Sequence, residues 1–335
     1  MSSAGSPPPP NASVHAARPL PHEEGGGAKR SGTQPFAYLA TRPPLRRDRK
    51  AEFRSRGGWS RRLGTALLYF VLTIMLVLFM VPVYGAVVTA FKSQAEVSAG
   101  GYWTVPTSLA AENFERVMDP EDGNLGLYLQ NSLLLTIPAA LFSIALGTLA
   151  GYGLGKYNFK GDGVLFILIV AGMFLPPQIA LIPVFRLMND IGLYDTLWAV
   201  IIIHTAFGIP ICTLVMRNFF QVVPNALREA ALIDGANEYS IFFRIMLPLT
   251  LPALAVLATL QFTWIWNDFL WPFILTQRAE SRTVMVGILN LTGQYTVDWG
   301  GQAAASLIGS LPTLFIFVFF QRYFIRGLTL GAVKG

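Results

Sequence analysis

Six long apolar runs constrain the fold of this chain more than any other feature of its sequence. A helix needs about 20 residues to cross the hydrocarbon core of a bilayer, and each run has about that length. Backbone polar groups in that core must be paired within their own segment, so a continuous run predicts a helix. A β-barrel would instead show short alternating segments. We therefore predict an all-α, polytopic membrane protein with six transmembrane helices.

The predicted transmembrane helices are Leu63–Phe91, Ser132–Tyr152, Val164–Leu187, Leu197–Arg217, Leu249–Leu275 and Ala303–Tyr323. Several of the runs contain proline, which predicts kinks and makes the helix ends less sharp. With 53% hydrophobic and 13% charged residues, the chain also has too little polar surface for a water-soluble domain.

Positive charge is concentrated at the N-terminal end. The first 62 residues hold 12 Lys or Arg against 4 Asp or Glu, although the whole chain carries a net charge of only +6. Eight of these basic residues lie in the 20 positions before Leu63, so the positive-inside rule places the N-terminus in the cytoplasm. Six spans then return the C-terminus to the same side. The charge excess is a property of the tail and gives no reason to expect a nucleic-acid partner.

Residues 1–60 are rich in proline, glycine and basic side chains and poor in large apolar ones. Such a segment cannot bury enough surface to offset its ordering entropy, so we predict a disordered cytoplasmic tail. Residues 61–335 form the six-helix transmembrane domain. The basic end of the tail is expected to lie against anionic membrane lipids, and binding to a regulatory protein is the alternative. The first apolar run is too long, and too far along the chain, to be a cleavable signal peptide.

A polar loop at residues 221–248 separates the fourth and fifth predicted spans. Asp234, Gly235 and Ala236 divide it into two short helices, at residues 225–232 and 237–246. Gly235 supplies the left-handed conformation that ends the first helix, and Asn237 can cap the second. Pro248 stands where the next membrane helix is expected to begin. A helix-turn-helix elbow with both charge and apolar surface is typical of a docking element.

The same loop carries a spaced motif. Glu229-Ala230-Ala231 is followed by Gly235 and then by Ile245, Leu247 and Pro248. This spacing resembles the EAA-x3-G-x9-I-x-LP signature of the permease subunits of binding-protein-dependent ABC importers. In that family the loop sits in a groove of the ATPase subunit and passes its motion to the membrane helices.

The resemblance implies a set of ATPase-coupling residues: Glu229, Ala230, Ala231, Asp234, Gly235, Ala236, Ile241, Ile245, Leu247 and Pro248. It makes Glu229 the charged contact to an arginine of the ATPase, and Ile241 and Ile245 the apolar contacts. Gly235 is the turn on which the shape of the loop depends.

The fifth predicted span carries polar and aromatic residues on one face. At 100° per residue, Gln261, Trp264, Asn267, Asp268 and Trp271 fall within about 120° of one another. An acid inside an apolar span is costly and usually faces a cavity or a partner, and aromatic faces beside amides and carboxylates suit sugars. These residues are candidates for lining a pathway. The alternative is an interfacial aromatic belt with Asp268 near the headgroups. His204, in the fourth span, is interpreted as a packed, hydrogen-bonded core residue.

Other segments extend the resemblance to the carbohydrate-uptake branch of these permeases, with the maltose-type second permease as the closest likeness. They are Asn131-Ser132, Gly151-Tyr152, the inner loop at residues 157–161 and the C-terminal residues 321–335. The resemblance covers residues 63–335. It implies as partners a homologous second permease subunit, two ATP-binding subunits that carry ATP-Mg, and an extracytoplasmic sugar-binding protein. A loop before the last span reaches into the binding protein in the maltose-type system, which makes Gln294, Tyr295, Asp298 and Trp299 candidate contacts here.

No sequence pattern supports catalysis or a resident cofactor. The glycines from Gly151 to Gly155 lack the spacing and the Ser or Thr of a nucleotide-binding loop, and small residues that let helices pack closely explain them better. The single Cys212 allows no disulfide within the chain. Two alternatives stay open: an ABC importer permease for a non-sugar cargo (glycerol-phosphate, amino acid or peptide), and a secondary transporter, which would need inverted repeats or ionisable relays.

Overall fold

The computed structural model describes residues 58–332, except positions 102, 108, 110 and 292–296, and it describes side chains from Arg62 to Gln321 within that range. The chain divides into two compact units, residues 1–71 and residues 72–335. The predicted tail lies outside the described residues, apart from residues 58–60, which are already helical.

The described part of the chain is helical throughout, as predicted. Its α-helices, in chain order, are α1 (Gly58–Ala90), α2 (Gln94–Ser98), α3 (Glu112–Met118), α4 (Leu125–Lys156), α5 (Asp162–Ala171), α6 (Leu181–Asp190), α7 (Leu197–Val222), α8 (Asn225–Ile233), α9 (Glu238–Ile241), α10 (Leu247–Leu249), α11 (Leu251–Trp266), α12 (Leu270–Leu275), α13 (Val284–Asn290) and α14 (Trp299–Ala332). Short 3₁₀ turns at Gly172–Phe174 and Pro177–Ala180 join α5 to α6. A π-helical segment at Phe242–Met246 joins α9 to α10.

Four of these helices, α1, α4, α7 and α14, are long and apolar enough to cross a membrane alone, and each runs through an internal proline. Two further spans exist only as bent pairs. The helices before and after Pro176-Pro177 meet at 92°, and the helical arms before and after Thr250 meet at 74°. Six spans therefore require both bent pairs to count as one span each.

The third and fifth spans were predicted as single continuous helices, and this prediction was wrong. The third breaks at residues 172–177, where consecutive prolines remove two backbone donors. The fifth does not run from Leu249 to Leu275. Its helix begins at Leu251, ends at Trp266, and resumes at Leu270 as the short α12.

Helices α4 and α7 form the closest helix pair of the bundle. A Cβ added at Gly147 would lie 2.3 Å from the Cβ of Cys212, and one at Gly151 would lie 2.8 Å from the backbone nitrogen of Arg217. Gly155 continues the row one turn later, with Phe220 Cβ at 3.2 Å. Small residues four apart let the two backbones approach, which is how helices associate in lipid. The prediction that the glycines from Gly151 to Gly155 serve helix packing is confirmed for Gly151 and Gly155 but not for Gly153, where an added Cβ would meet nothing within 4 Å.

At the other end of α4, polar groups fasten a loop that follows α12. Asn131 donates from Nδ2 to the carbonyls of Glu280 and Arg282, at 2.8 and 2.9 Å. Ser132 Oγ accepts from the backbone nitrogen of Val284 at 2.9 Å. The loop before α7 joins the same cluster, because Asp195 accepts hydrogen bonds from Ser281 and from the Gln277 and Arg278 amides.

The environment of Asp195 shows how firmly this end is held. Burial by itself would raise the pKa of the carboxyl group, but the hydrogen bonds outweigh burial and bring the pKa down to about 2. Asp195 also has a left-handed backbone, with φ of 63°, and its amide donates to Leu275 at 2.9 Å.

The glycine contact gives a direct test of the fold. Gly147→Ala should destabilise the chain by about 1–3 kcal/mol, because the added methyl group has no room against α7. Gly153→Ala is the matched control, since a Cβ there meets nothing within 4 Å. In the control, alanine should be neutral or stabilise the helix by up to about 1 kcal/mol. Thermal unfolding in detergent measures both, and equal effects would contradict the close packing of α4 on α7.

Candidate functional site

The loop between α7 and α11 folds as a helix-turn-helix elbow, which comprises α8, the turn, α9, the π-helical segment and α10. Helix α8 ends at Ile233, and the chain turns at Gly235, whose φ is 82°. Asn237 caps α9 by accepting a hydrogen bond from the Ser240 amide at 2.8 Å. A left-handed residue with no Cβ therefore ends the first helix and an Asn cap begins the second, as the sequence predicted.

The prediction that Pro248 begins the next membrane helix was wrong. Pro248 lies in the last turn of the elbow, and the membrane helix begins after Thr250, with Pro252 in its first turn. Because Pro252 has no N–H, it cannot bond to the carbonyl of Pro248, so the helix breaks there and the two arms bend. The π-helical segment before this break is a further irregularity of a kind often found at functional sites.

An ion pair that the sequence analysis missed joins the two halves of the elbow. Arg228 on α8 binds both oxygens of Glu238 on α9, through Nε at 3.3 Å and through Nη2. The hydroxyl of Tyr157, just after α4, donates to Glu238 at 2.6 Å. The guanidinium of Arg228 lies 4.8 Å from the centre of the Tyr157 ring. The elbow is thereby fastened to the end of α4.

The pKa shifts of this cluster follow from its geometry. Burial, followed by the hydrogen bond to Glu238, raises the pKa of Tyr157. The hydrogen bond to Glu238 raises the pKa of Arg228 in turn. A second attachment lies beside it: Lys156, the last residue of α4, donates to the Asn225 side chain at 2.9 Å and to the carbonyl of Val223.

Burial divides the predicted coupling residues into two groups. Ala231 and Ile241 are 8% and 0% exposed and belong to a core cluster with Met216 and Phe220 of α7, against which Ile245 and Leu247 also pack. The prediction that Ile241 and Ile245 are the outward apolar contacts of the elbow was wrong for Ile241, which is fully buried; Ile245, in the π-helical segment, is half-buried against the same cluster. The residues that face outward are Glu229, Ala230, Asp234, Gly235 and Pro248.

The elbow nevertheless presents apolar surface. Ile233 is 86% exposed and Tyr239 is 77% exposed, one on each side of the turn. Leu227, Leu232 and Phe243 are exposed as well. We call these five residues the elbow patch. Several large apolar side chains exposed close together in sequence are typical of a protein-interaction site.

The pathway-lining candidates do not share one helical face. Because α11 ends at Trp266, Asn267 and Asp268 lie in the break and Trp271 lies on the next helix. Gln261 is buried and donates to the carbonyl of Gly208 at 3.1 Å. Asn267 bonds back to the Thr263 carbonyl.

Three of those candidates, Trp264, Asp268 and Trp271, meet at a cavity of about 340 Å³. His204 of α7 lies there too, with Nε2 at 3.2 Å from an Asp268 oxygen. From the sequence, His204 was interpreted as a residue of the packed core. It is indeed buried, at 6% exposure, but it lines the cavity as well. Within the described residues, no group of three or more His, Cys, Asp or Glu is placed to hold a metal ion.

The predicted contact loop before the last span is only partly described. Gln294 and Tyr295 lie outside the described residues. Asp298 caps α14 through the Gly301 amide at 2.9 Å and forms a 2.6 Å ion pair with Arg116 of α3. Trp299 is exposed.

Comparisons with known proteins identify the family of this chain. The family model of the binding-protein-dependent transport system inner membrane component matches residues 143–330. The probable ABC transporter permease protein YurM of Bacillus subtilis is 30% identical over 273 residues, which cover 82% of this chain and 90% of YurM. The arabinooligosaccharides transport system permease protein AraQ of Halalkalibacterium halodurans is 33% identical over 279 residues, which cover 83% of this chain and 96% of AraQ.

A solved structure supports the fold alone. One chain of a bacterial ABC transporter involved in the import of the acidic polysaccharide alginate superposes with a TM-score of 0.70 at 23% identity. The match covers 79% of this chain and 98% of that one.

The turn of the elbow is testable by hydrogen exchange. Gly235→Val should speed amide exchange in residues 225–246 by about fivefold, because a β-branched residue in the left-handed region costs ~1 kcal/mol or more. Gly235→Asn is the matched control, since asparagine tolerates that conformation and a Cβ there meets nothing within 4 Å. Mass spectrometry of both variants measures the effect. Unchanged exchange in Gly235→Val would mean that Gly235 is not needed for the turn.

Proposed function

This chain belongs to the family of binding-protein-dependent transport system inner membrane components, and we propose, from that premise, that it forms half of the pathway for a sugar. It is the permease of an ABC importer, and its family is one of transport permeases. Family membership removes the support for a secondary transporter. The observation that carries the proposal is the elbow, a rigid helix-turn-helix at one end of the bundle that exposes apolar surface.

A sugar cargo is supported by relatives and by sequence. AraQ, which covers most of this chain, is named for arabinooligosaccharide transport. The C-terminal residues 321–335 resemble the carbohydrate-uptake branch. A di- or oligosaccharide is therefore the proposed cargo in preference to glycerol-phosphate, an amino acid or a peptide.

The elbow is the proposed docking element for the ATPase. Ile233 and Tyr239 stand out from the turn, so they can enter a groove without any change in the elbow. Glu229 is exposed on the same helix as Ile233 and is the proposed charged contact. The outward apolar contacts are the elbow patch, whereas Ile241 and Ile245 hold the elbow to the bundle.

Movement of the ATPase would reach the spans through the contacts of the elbow. Glu238 ties both elbow helices to Tyr157, and Lys156 ties the start of α8 to the same end of α4. The elbow and α4 therefore move together as one body. In this proposal ATP-Mg is bound by two partner ATPase subunits, and closure of those subunits switches the pathway between outward and inward access.

The remaining partners are proposed from the same premise. A homologous second permease forms the other half of the pathway, and an extracytoplasmic binding protein delivers the sugar. Trp299, together with Gln294, Tyr295 and Asp298, is the proposed binding-protein contact. We also propose that both termini lie in the cytoplasm, where the basic tail, residues 1–60, would lie near membrane lipid.

The orientation can be tested by thiol labelling in a Cys212→Ala background. Cys introduced in place of the exposed Arg278 should react with a membrane-impermeant reagent in intact cells. Cys in place of Lys160 should react only after permeabilisation. Lys160 is exposed in the loop after α4, at the elbow end of the bundle, and Arg278 lies at the opposite end, so each position is the control for the other. Labelling of position 160 from outside would overturn the topology.

The docking surface can be tested by co-purification with the ATPase. Ile233→Ser should weaken the association about tenfold, because burying an isoleucine side chain contributes about 1.5–3 kcal/mol. Leu109→Ser is the matched control: Leu109 is also highly exposed but lies in the loop between α2 and α3. Glu229→Ala should have a smaller effect, of about 1 kcal/mol or less. Full ATPase recovery and full uptake in Ile233→Ser would remove the elbow as the coupling site.

A further inference from the structure

We propose that one cavity binds an uncharged, hydroxyl-rich ring. The cavity lies between α7, the break in the third span at residues 172–177 and the break after α11 at residues 267–269. The cavity measures about 340 Å³, within the usual range for small-molecule sites. The lining residues that carry the argument are Gln178, His204, Phe207, Trp264, Asp268 and Trp271. This inference deepens the proposed function and rests on it, because it places the sugar on this subunit.

The two broken spans support a binding site at this place. Irregular backbone within a membrane is tolerated where it is buried in protein or lines a cavity. Pro177 and Gln178 come from the break in the third span, and Asp268 comes from the break in the fifth; all three line this cavity. In transporters, interrupted helices mark substrate sites for the same reason.

A buried ion pair stands beside the cavity. His204 lies seven residues into α7, about 10 Å along the helix at 1.5 Å per residue. Its Nε2 is buried and lies 3.2 Å from Asp268 Oδ2. Because a buried atom is closed to a ligand, His204 is a positioning residue that holds Asp268 at the cavity wall.

The charge of the site argues against an acidic ligand. Asp268 accepts hydrogen bonds from the Leu270 and Trp271 amides at 3.2 and 3.1 Å, which fix the position of its carboxyl group. A carboxylate in a low-dielectric site attracts hydroxyl donors and repels anions. The Asp268 oxygens can accept hydrogen bonds from sugar hydroxyl groups at the cavity wall.

Aromatic surface completes the chemistry. Trp264 is 66% exposed, so its ring face is available at the cavity, and Phe207 packs against Trp271 at 5.7 Å. The C–H faces of a sugar ring are apolar and pack on aromatic rings, while its edge carries the hydroxyl groups. Gln178, exposed on the opposite side, adds an amide that can donate and accept.

The test uses the full complex in proteoliposomes, with Cys212→Ala and Met173→Cys in this chain, because Met173 lines the cavity and is exposed there. Maltose or arabinotriose should slow labelling of position 173 by a soluble thiol reagent by about fivefold or more, whereas the acidic digalacturonate should not. Labelling of Arg278→Cys, outside the cavity, should be unaffected. Trp264→Leu should reduce the protection about fivefold, and Trp198→Leu, a similarly exposed tryptophan outside the cavity, should leave it unchanged.

Uptake of both sugars is measured in parallel. This measurement distinguishes failure of the proposed binding site from failure of the proposed sugar cargo. Uptake without protection at position 173 would overturn the site and leave the sugar permease standing. Absence of uptake of either sugar by the wild-type complex would overturn the sugar cargo and this site with it. Protection that persists in Trp264→Leu would show a change of conformation elsewhere, and would also overturn the site.

Discussion

The structure depends on one constraint: backbone groups in a bilayer core must find partners inside the protein. Continuous helices satisfy it in α4 and α7, whose glycine row brings the two backbones together. The two broken spans satisfy it differently. At the break after α11, Asp268 accepts hydrogen bonds from the amides of Leu270 and Trp271. These two amides have no helical carbonyl partners, because the helix is interrupted there. A polar residue in an apolar span thus has a structural role as well as the proposed one in binding.

The elbow and the cavity are joined by packed elements. Glu238 binds Tyr157 at the end of α4, the glycine row holds α4 against α7, and α7 carries His204. Met216 and Phe220 of α7 also pack directly against the elbow. An ATPase that moves the elbow would therefore displace the helix that bears the histidine. This contiguity is a physical route for coupling, and its energetic size is a matter for double-mutant measurements.

Sequence pattern predicted well where the physics is local. A run of apolar residues long enough to cross a membrane has few other stable conformations, so four spans followed directly from the pattern. The left-handed turn at Gly235 and the cap at Asn237 depend on neighbours within four residues and were also predicted correctly. The fifth span was predicted as one helix, since nothing in its hydropathy reports a break after Trp266. The interpretation of Asn267, Asp268 and Trp271 as one face failed with it.

Only the tertiary structure decided which side each residue faces. Ile233 and Ile241 are the same residue type in the same loop, yet one is 86% exposed and the other is fully buried. The difference arises because α9 packs against α7, a contact that hydropathy cannot encode. His204 could not be assigned for the same reason, because its neighbour Asp268 is 64 positions away in sequence. The sequence determined the spans, the turn and the family motif, because these follow from local solvation and backbone preference. The cavity and the Glu238 cluster came from long-range packing, which brings distant residues together.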